Sequence, residues 1–383
     1  MRLSPVLAAE TTYPFVRLER AMREAAEAGV EVIDFGRGDP YEPTDPLIRQ
    51  ALVEALEERM GYPKAEGLPE LREAIAGWLA RRFGVEIDAD GEVIPTLGLK
   101  EAIFSFAFLV VDPLGVKDTV VVTEPGYPVQ DRGARFAGAN VDYLPLREEN
   151  GFLPDLEAVA EDTWSRAALV WVNYPNNPTG AVAPLAFYDR LAELAEEHEF
   201  LLASDEAYSE LWFDEPPPSA LQVAERGRVV VFNSLSKRSS MTGYRSGFVA
   251  GPPEVIAALR KFRPAVGTAP QEFVQRASVA AWGDEEHVQR ARESYRRKRE
   301  LLMKILERRG WRVPAASRAS MYLWVQVPDG GGSEAAAERL LQHGIVVAPG
   351  VYLGEHGEGY VRLALVPTEE ECRRAAEILE DVL

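Results

Sequence analysis

The chain has 383 residues, 46% hydrophobic and 27% charged, with a net charge of −19. The length points to about two domains, and the composition is that of a soluble globular protein. The acidity argues against partners that need basic stripes, namely nucleic acid and anionic membrane surfaces, and reads as a solvated, self-repelling surface.

The first 45 residues are rich in turns. Val93-Ile94-Pro95-Thr96 reads as a strand, after which Gly98 opens a helix. Residues 119–123, 168–173, 200–204 and 229–234 are short, apolar or β-branched, and bounded by turn residues. Such runs fit strands buried on both faces. Helical stretches are expected over 126–138 and 184–199. Strand–helix alternation implies a mainly parallel sheet with right-handed crossovers. Beyond about residue 283 the pattern changes. Residues 284–309 read as one long charged helix. A strand follows at Tyr322-Leu323-Trp324-Val325, then a glycine-rich turn with Ser333 as helix N-cap. A strand at Tyr360-Val361-Arg362-Leu363 and a helix from about Thr368 end the chain. The expected division is a large α/β domain over 46–283 and a smaller α+β domain from 1–45 and 284–383. There are no internal repeats.

One cysteine, Cys372, excludes an internal disulfide and a cysteine metal site. His198, His287, His343 and His356 lack ligand spacing, so no metal is expected. Residues 1–5 lack the apolar core of a signal peptide, and no run reaches membrane-spanning length. The cytoplasm is the expected compartment.

The chemistry concentrates at Ser234-Leu235-Ser236-Lys237. The chain has only seven lysines beside 35 arginines, and this one follows a buried strand, with Arg245 eight residues on. A lysine so placed suits a Schiff base with an aldehyde cofactor such as pyridoxal phosphate, with hydroxyls holding the phosphate. The alternative is a strand-end lysine snorkelling to water. In parallel sheets ligands bind beyond the carboxyl ends of strands. Two further polar groups sit at such ends, Asn177 in Tyr174-Pro175-Asn176-Asn177-Pro178 and Asp205 in Ser204-Asp205-Glu206-Ala207-Tyr208.

A buried carboxylate at Asp205 would be costly unless paired, and a pyridinium nitrogen would serve. Otherwise Asp205 caps the next turn. Tyr208 and Asn177 suit a ring hydroxyl, or are a half-buried tyrosine and a turn asparagine. Gly98-Leu99-Lys100 at a helix start offers N–H groups to a phosphate, joined by Ser234, Ser236 and Arg245, although a lone glycine before a helix is usually a turn. Tyr127 could stack on a ring face. Arg362 could hold a carboxylate with both arms of its fork, or be a surface strand arginine.

Taken together, these segments resemble the class I pyridoxal-phosphate-dependent aminotransferases of fold type I, over essentially the whole chain. The carrying motifs are Gly36-Arg37-Gly38-Asp39-Pro40, Tyr62-Pro63-Lys64-Ala65-Glu66-Gly67, Asn176-Asn177-Pro178-Thr179-Gly180, Ser204-Asp205-Glu206-Ala207-Tyr208, Ser234-Leu235-Ser236-Lys237 and Met241-Thr242-Gly243-Tyr244-Arg245.

The resemblance implies an α/β fold whose large domain holds a mainly parallel seven-stranded sheet flanked by helices. It implies pyridoxal phosphate as cofactor, with Lys237 as Schiff-base lysine and proton shuttle. Asp205 would lie under the ring nitrogen, Asn177 and Tyr208 at the ring hydroxyl, and Tyr127 on the ring face. Gly98, Leu99, Lys100, Ser234, Ser236 and Arg245 would bind the phosphate. Gly38, Asn177 and Arg362 would bind the substrate carboxylate. Tyr62 would reach the cofactor phosphate of a second subunit, so a homodimer with shared active sites follows. Cis peptides are expected before Pro125 and Pro178. Leu99 departs from the small or hydroxyl residue that many relatives carry there.

The implied reaction is ping-pong amino transfer between an amino acid, with glutamate as donor, and a 2-oxo acid. Within the family, Tyr62-Pro63-Lys64-Ala65-Glu66-Gly67-Leu68 and Pro95-Thr96-Leu97-Gly98-Leu99-Lys100 look most like N-succinyldiaminopimelate aminotransferases. Aspartate, aromatic and LL-diaminopimelate aminotransferases share the catalytic motifs, as do β-eliminating C–S lyases. An aminotransferase-like regulator that senses the cofactor is the non-enzymatic alternative.

Overall fold

A computed structural model of the protein describes residues 4–9 and 14–383. The reading of residues 1–5 for a leader therefore falls partly outside the described residues.

Seven strands form one sheet, in the spatial order Val93–Leu97, Ser246–Ala250, Val229–Ser234, Leu201–Asp205, Ala167–Asn173, Thr119–Glu124, Asn140–Pro145. Ser246–Ala250 runs antiparallel to both neighbours, and the other pairings are parallel. The sheet is thus mainly parallel, as the sequence implied.

Alternate residues of each strand face opposite sides. Val120, Val122, Leu169, Trp171, Val230 and Phe232 pack on one face, against helix Leu99–Val110. Val121, Val170, Val172, Val229 and Val231 pack on the other, with Trp78, Leu191 and Trp282 from helices Pro69–Phe83, Leu185–His198 and Glu272–Gly283. Both faces are covered, which explains why the strands read as continuous apolar runs.

Two of these strands escape sequence reading. Asn140–Pro145 lies at the sheet edge and is mostly exposed or half-buried, so it lacks an apolar run. Ser246–Ala250 is short and contains Gly247, whose added Cβ would come within 2.8 Å of the Asn233 carbonyl.

A second apolar cluster gathers Ile33 and Phe35 with Tyr295, Leu302, Leu323, Val325, Val361, Leu363 and Leu379. Its three-stranded antiparallel sheet has the order Ala348–Pro349, Tyr360–Ala364, Tyr322–Gln326. Ile33–Asp34 pairs in parallel with Ile345–Val346, which ties the N-terminal segment to this unit. The long helix runs from Glu286 to Arg308.

The helix expected over 126–138 is confined to Gln130–Phe136. Pro128 disfavours helical backbone at Tyr127 before it. Ser333 is the first residue of its helix and not the cap, which is Gly332. The Ser333 hydroxyl instead donates to Glu358, at 2.7 Å. Peptides before Pro125 and Pro178 are cis, as is that before Pro175.

Candidate active site

The parallel strands end on one edge of the sheet, so Asn173, Asp205 and Ser234 emerge side by side. A cavity of about 540 Å³ opens there. Leu99, Lys100, Tyr127, Asn177, Asp205, Tyr208, Ser234, Ser236, Lys237, Arg245, Gly38 and Arg362 all line it.

Lys237 sits in the four-residue helix Leu235–Arg238, directly after its strand. Ser234 caps that turn, its Oγ accepting from the Ser236 N–H at 2.9 Å and donating to the Ser246 carbonyl at 3.0 Å. A hydroxyl has one proton to give, so Ser234 here fixes the turn that aims the lysine. The Lys237 amine donates to the Gly38 carbonyl. Burial lowers its pKa to about 8, helped by Arg362 and Arg245 and opposed by Asp39. The snorkelling alternative does not hold, because the amine turns inward.

Asp205 is buried, and one carboxyl oxygen accepts from the Ala207 N–H at 3.1 Å. The turn-capping role is therefore real. Yet desolvation pushes this carboxyl up to about 7 against that bond. A cation beside it would restore the charge.

The opposite imbalance marks the start of helix Leu99–Val110. Gly98 has φ 69° and caps the helix without a side chain. With ψ 178° this backbone is one that residues other than glycine rarely adopt, and the missing Cβ, which would lie 2.2 Å from Arg245 Nη2, lets the guanidinium close on the helix end. Burial lowers the Lys100 pKa, and the cations of Arg245 and Arg132 lower it further. Cations gathered at a helix N-terminus suit an anion. A protonated ring nitrogen at Asp205, a phosphate at Gly98–Lys100–Arg245 and an aldehyde at Lys237 would together relieve all three. The residues present fit pyridoxal phosphate.

Arg362 is 3% exposed, so it is not a surface arginine. Its Nη1 donates to Asn177 Oδ1 at 2.9 Å, and its Nη2 to the Gly36 carbonyl at 2.7 Å. Its guanidinium lies 4.4 Å above the Tyr322 ring, a cation–π contact. Its buried Nε has no hydrogen-bond partner among the described residues. Tyr208 is buried, and its hydroxyl lies 3.2 Å from that of Tyr322. Desolvation raises the Tyr208 pKa well above its usual value, so it acts as a neutral hydroxyl.

Tyr62 stands apart. It is fully exposed and does not line the cavity of its own chain.

Sequence reading missed Tyr322, Phe15, Arg37 and Asp39 as cavity residues. Tyr322 stands on the same sheet face as Arg362. It pairs with Ala364, two residues from Arg362, and residues two apart share a strand face. The same tyrosine explains Gly38, where a Cβ would sit 2.1 Å from the Tyr322 hydroxyl. No metal-binding cluster and no helix long and apolar enough to cross a membrane occur among the described residues.

The family model described as aminotransferase class I and II matches residues 30–379. An LL-diaminopimelate aminotransferase of Aquifex aeolicus is 42% identical over 376 residues, 97% of this chain and 96% of its own. An aminotransferase of Neisseria meningitidis superposes with a TM-score of 0.92 at 39% identity, over all of both chains. A structure described as a probable N-succinyldiaminopimelate aminotransferase of Thermus thermophilus gives 0.89 at 33% identity, over 96% of this chain and 100% of its own.

Proposed function

Since the chain belongs to the class I and II aminotransferases, which use pyridoxal phosphate, we propose that its amino donor or product is LL-diaminopimelate. The curated relatives of that name favour this over the N-succinyl substrate read from the sequence, whose namesake is a more distant structural neighbour. The observation that carries the transaminase chemistry is a single cavity holding the Lys237 amine, the buried Asp205 carboxyl and the Arg362 fork.

When bound, pyridoxal phosphate supplies an aldehyde for the amino group and a ring that withdraws electrons from the substrate α-carbon. The protein's residues do the rest. Lys237 Nζ takes the proton from the α-carbon; with a pKa near 8 it is a base close to working pH. Asp205 keeps the ring nitrogen protonated. Asn177 and Tyr208 face the ring hydroxyl, and Tyr127 covers the ring. Lys100, Arg245, Ser236 and the helix start at Gly98 and Leu99 hold the phosphate. Arg362 grips the α-carboxylate beside Gly38 and Asn177. Residues 46–283 form the cofactor-binding domain, with 1–45 and 284–383 the smaller one. The exposed Tyr62 serves the site of a second subunit in a homodimer.

The test is a half-reaction panel. Cofactor in the amino form is offered oxo-acid partners, including those of LL-diaminopimelate and of N-succinyldiaminopimelate, and return of the aldehyde-form spectrum is followed. Fastest return with the LL-diaminopimelate partner supports the proposal. Preference for the N-succinyl compound, or pyruvate release from cystathionine, would replace it.

A further inference from the structure

We infer that Arg37 is a specificity-determining residue that grips a second carboxylate at the far end of the substrate, so that the cavity selects amino acids carboxylated at both ends. This deepens the transaminase reading above and rests on it.

The charges lining the cavity can be assigned in turn. They are Arg37, Lys100, Lys237, Arg245 and Arg362 on the positive side, and Asp39 and Asp205 on the negative. Lys100 and Arg245 face the phosphate, Lys237 and Asp205 the reacting ring, and Arg362 the α-carboxylate. Asp39 accepts from Thr242 Oγ1 at 2.7 Å and helps to hold up the Lys237 charge. Arg37 alone has no part in that chemistry, yet it faces the cavity.

Its geometry is that of a prepared anchor. Asp34 is buried and accepts from three donors, Gly36 N–H at 2.8 Å, Arg37 N–H at 3.3 Å and Arg37 Nε at 2.7 Å. One edge of the guanidinium is thereby pinned. The side chain also meets the Tyr41 hydroxyl, yet it remains 47% exposed, so the guanidinium can still meet a solute entering the cavity. A planar fork held in advance loses little entropy when it takes a carboxylate. The Asp34 hydrogen bond raises the guanidinium pKa further above its already high usual value.

The two arginines are set relative to each other through one residue. Gly36 gives its carbonyl to Arg362 and its N–H to Asp34, which holds Arg37. A side chain at position 36 would strike Leu18 at 2.5 Å, so this relay is tightly packed. The two arginines are therefore linked through the Gly36 peptide and the Asp34 carboxylate.

The test uses holoenzyme and two substrate pairs that differ by the distal carboxylate. These are LL-diaminopimelate with L-lysine, and L-glutamate with L-2-aminobutyrate. The readout is the ratio of kcat/KM within each pair, with calorimetric binding of glutarate to the holoenzyme as a second measure. Arg37→Leu should lower the ratio about 10- to 100-fold, as loss of a half-exposed charged contact predicts, and weaken glutarate comparably. Arg37→Lys, which keeps the charge without the fork, should lower both by less, and it decides the matter if Arg37→Leu does not fold. Unchanged ratios and unchanged glutarate affinity in the substituted enzyme would overturn the inference, as would a wild type with no preference in either pair. If LL-diaminopimelate is inert but the glutamate ratio falls, the substrate named above is wrong and the role of Arg37 stands.

Discussion

Arg362 Nη1 donates to Asn177 Oδ1 at 2.9 Å, which joins the three-stranded sheet to the loop after strand Ala167–Asn173 of the large sheet. The same guanidinium bonds the Gly36 carbonyl at 2.7 Å. One side chain thus fixes three chain segments around the cavity, and a substrate carboxylate held there as proposed would compete for or share its fork. Arg362→Leu should lose about 2–5 kcal/mol of transition-state binding, the usual result of removing one partner of a buried charged contact. That is roughly 30- to 5,000-fold in kcat/KM. Steady-state kinetics should show the loss for every amino acid tried, whatever its side chain. A loss limited to dicarboxylic substrates would move Arg362 away from the α-carboxylate.

Lys237→Ala should abolish the absorbance of the cofactor–lysine link and reduce turnover by at least the 10²–10⁴-fold that positioned acid–base groups contribute. Added methylamine should restore part of the rate, since it replaces the missing base. A variant that transaminates at the wild-type rate would end the role given to this residue.

The Lys237 pKa is lowered from 10.5 to about 8, so below pH 8 the amine is mostly protonated and cannot attack an aldehyde. Reconstitution of apoenzyme with pyridoxal phosphate, followed by absorbance, should therefore speed up with rising pH and level off above about 8. A rate still climbing toward pH 10 would show an unshifted amine.

Asp205 predicts a stability signature that depends on the cofactor. Its folded-state pKa, about 7, lies above the ordinary 3.8. The unfolded chain ionises first, so the stability lent by the neutral carboxyl is present at acid pH and is lost between about pH 4 and 7. In apoenzyme, Asp205→Asn should remove this dependence, gaining on the order of 2–4 kcal/mol relative to wild type at pH 8. In holoenzyme a protonated ring nitrogen at Asp205 would supply a counter-charge, and the advantage should vanish or reverse. Urea denaturation at pH 5 and 8, with and without cofactor, measures both.

Leu99 offers a trade. It is 7% exposed and packs in the cluster beneath the sheet. Leu99→Ser would add a hydroxyl donor at the helix start, worth about 1 kcal/mol to a phosphate. It would also remove buried apolar surface, at roughly 2–5 kcal/mol. Cofactor affinity, titrated by absorbance, should tighten about fivefold while the apoenzyme melts earlier. Weaker binding would mean that the leucine itself shapes the cradle.

How much of this was legible beforehand depends on which interactions were local. Lys237, Asp205 and Asn177 follow apolar strands whose register is set by burial, so their emergence on one edge could be read from the runs alone. Gly98 was readable as a helix start, but its φ of 69° and the approach of the Arg245 guanidinium are seen only in the fold. Tyr322 and Arg37 were not seen because their importance depends on how the N-terminal segment lies against the second sheet. No periodicity reports that pairing, which rests on two-residue strands at Ile33–Asp34 and Ile345–Val346. The edge strand Asn140–Pro145 was missed for the complementary reason, since its exposure removes the apolar pattern.

The most direct measurement is borohydride reduction of the holoenzyme, followed by peptide mapping of the cofactor adduct. The chain has seven lysines, and the account requires the adduct on the peptide that contains Lys237. Attachment to Lys100 or to any other lysine, or no stable adduct at all, would contradict it.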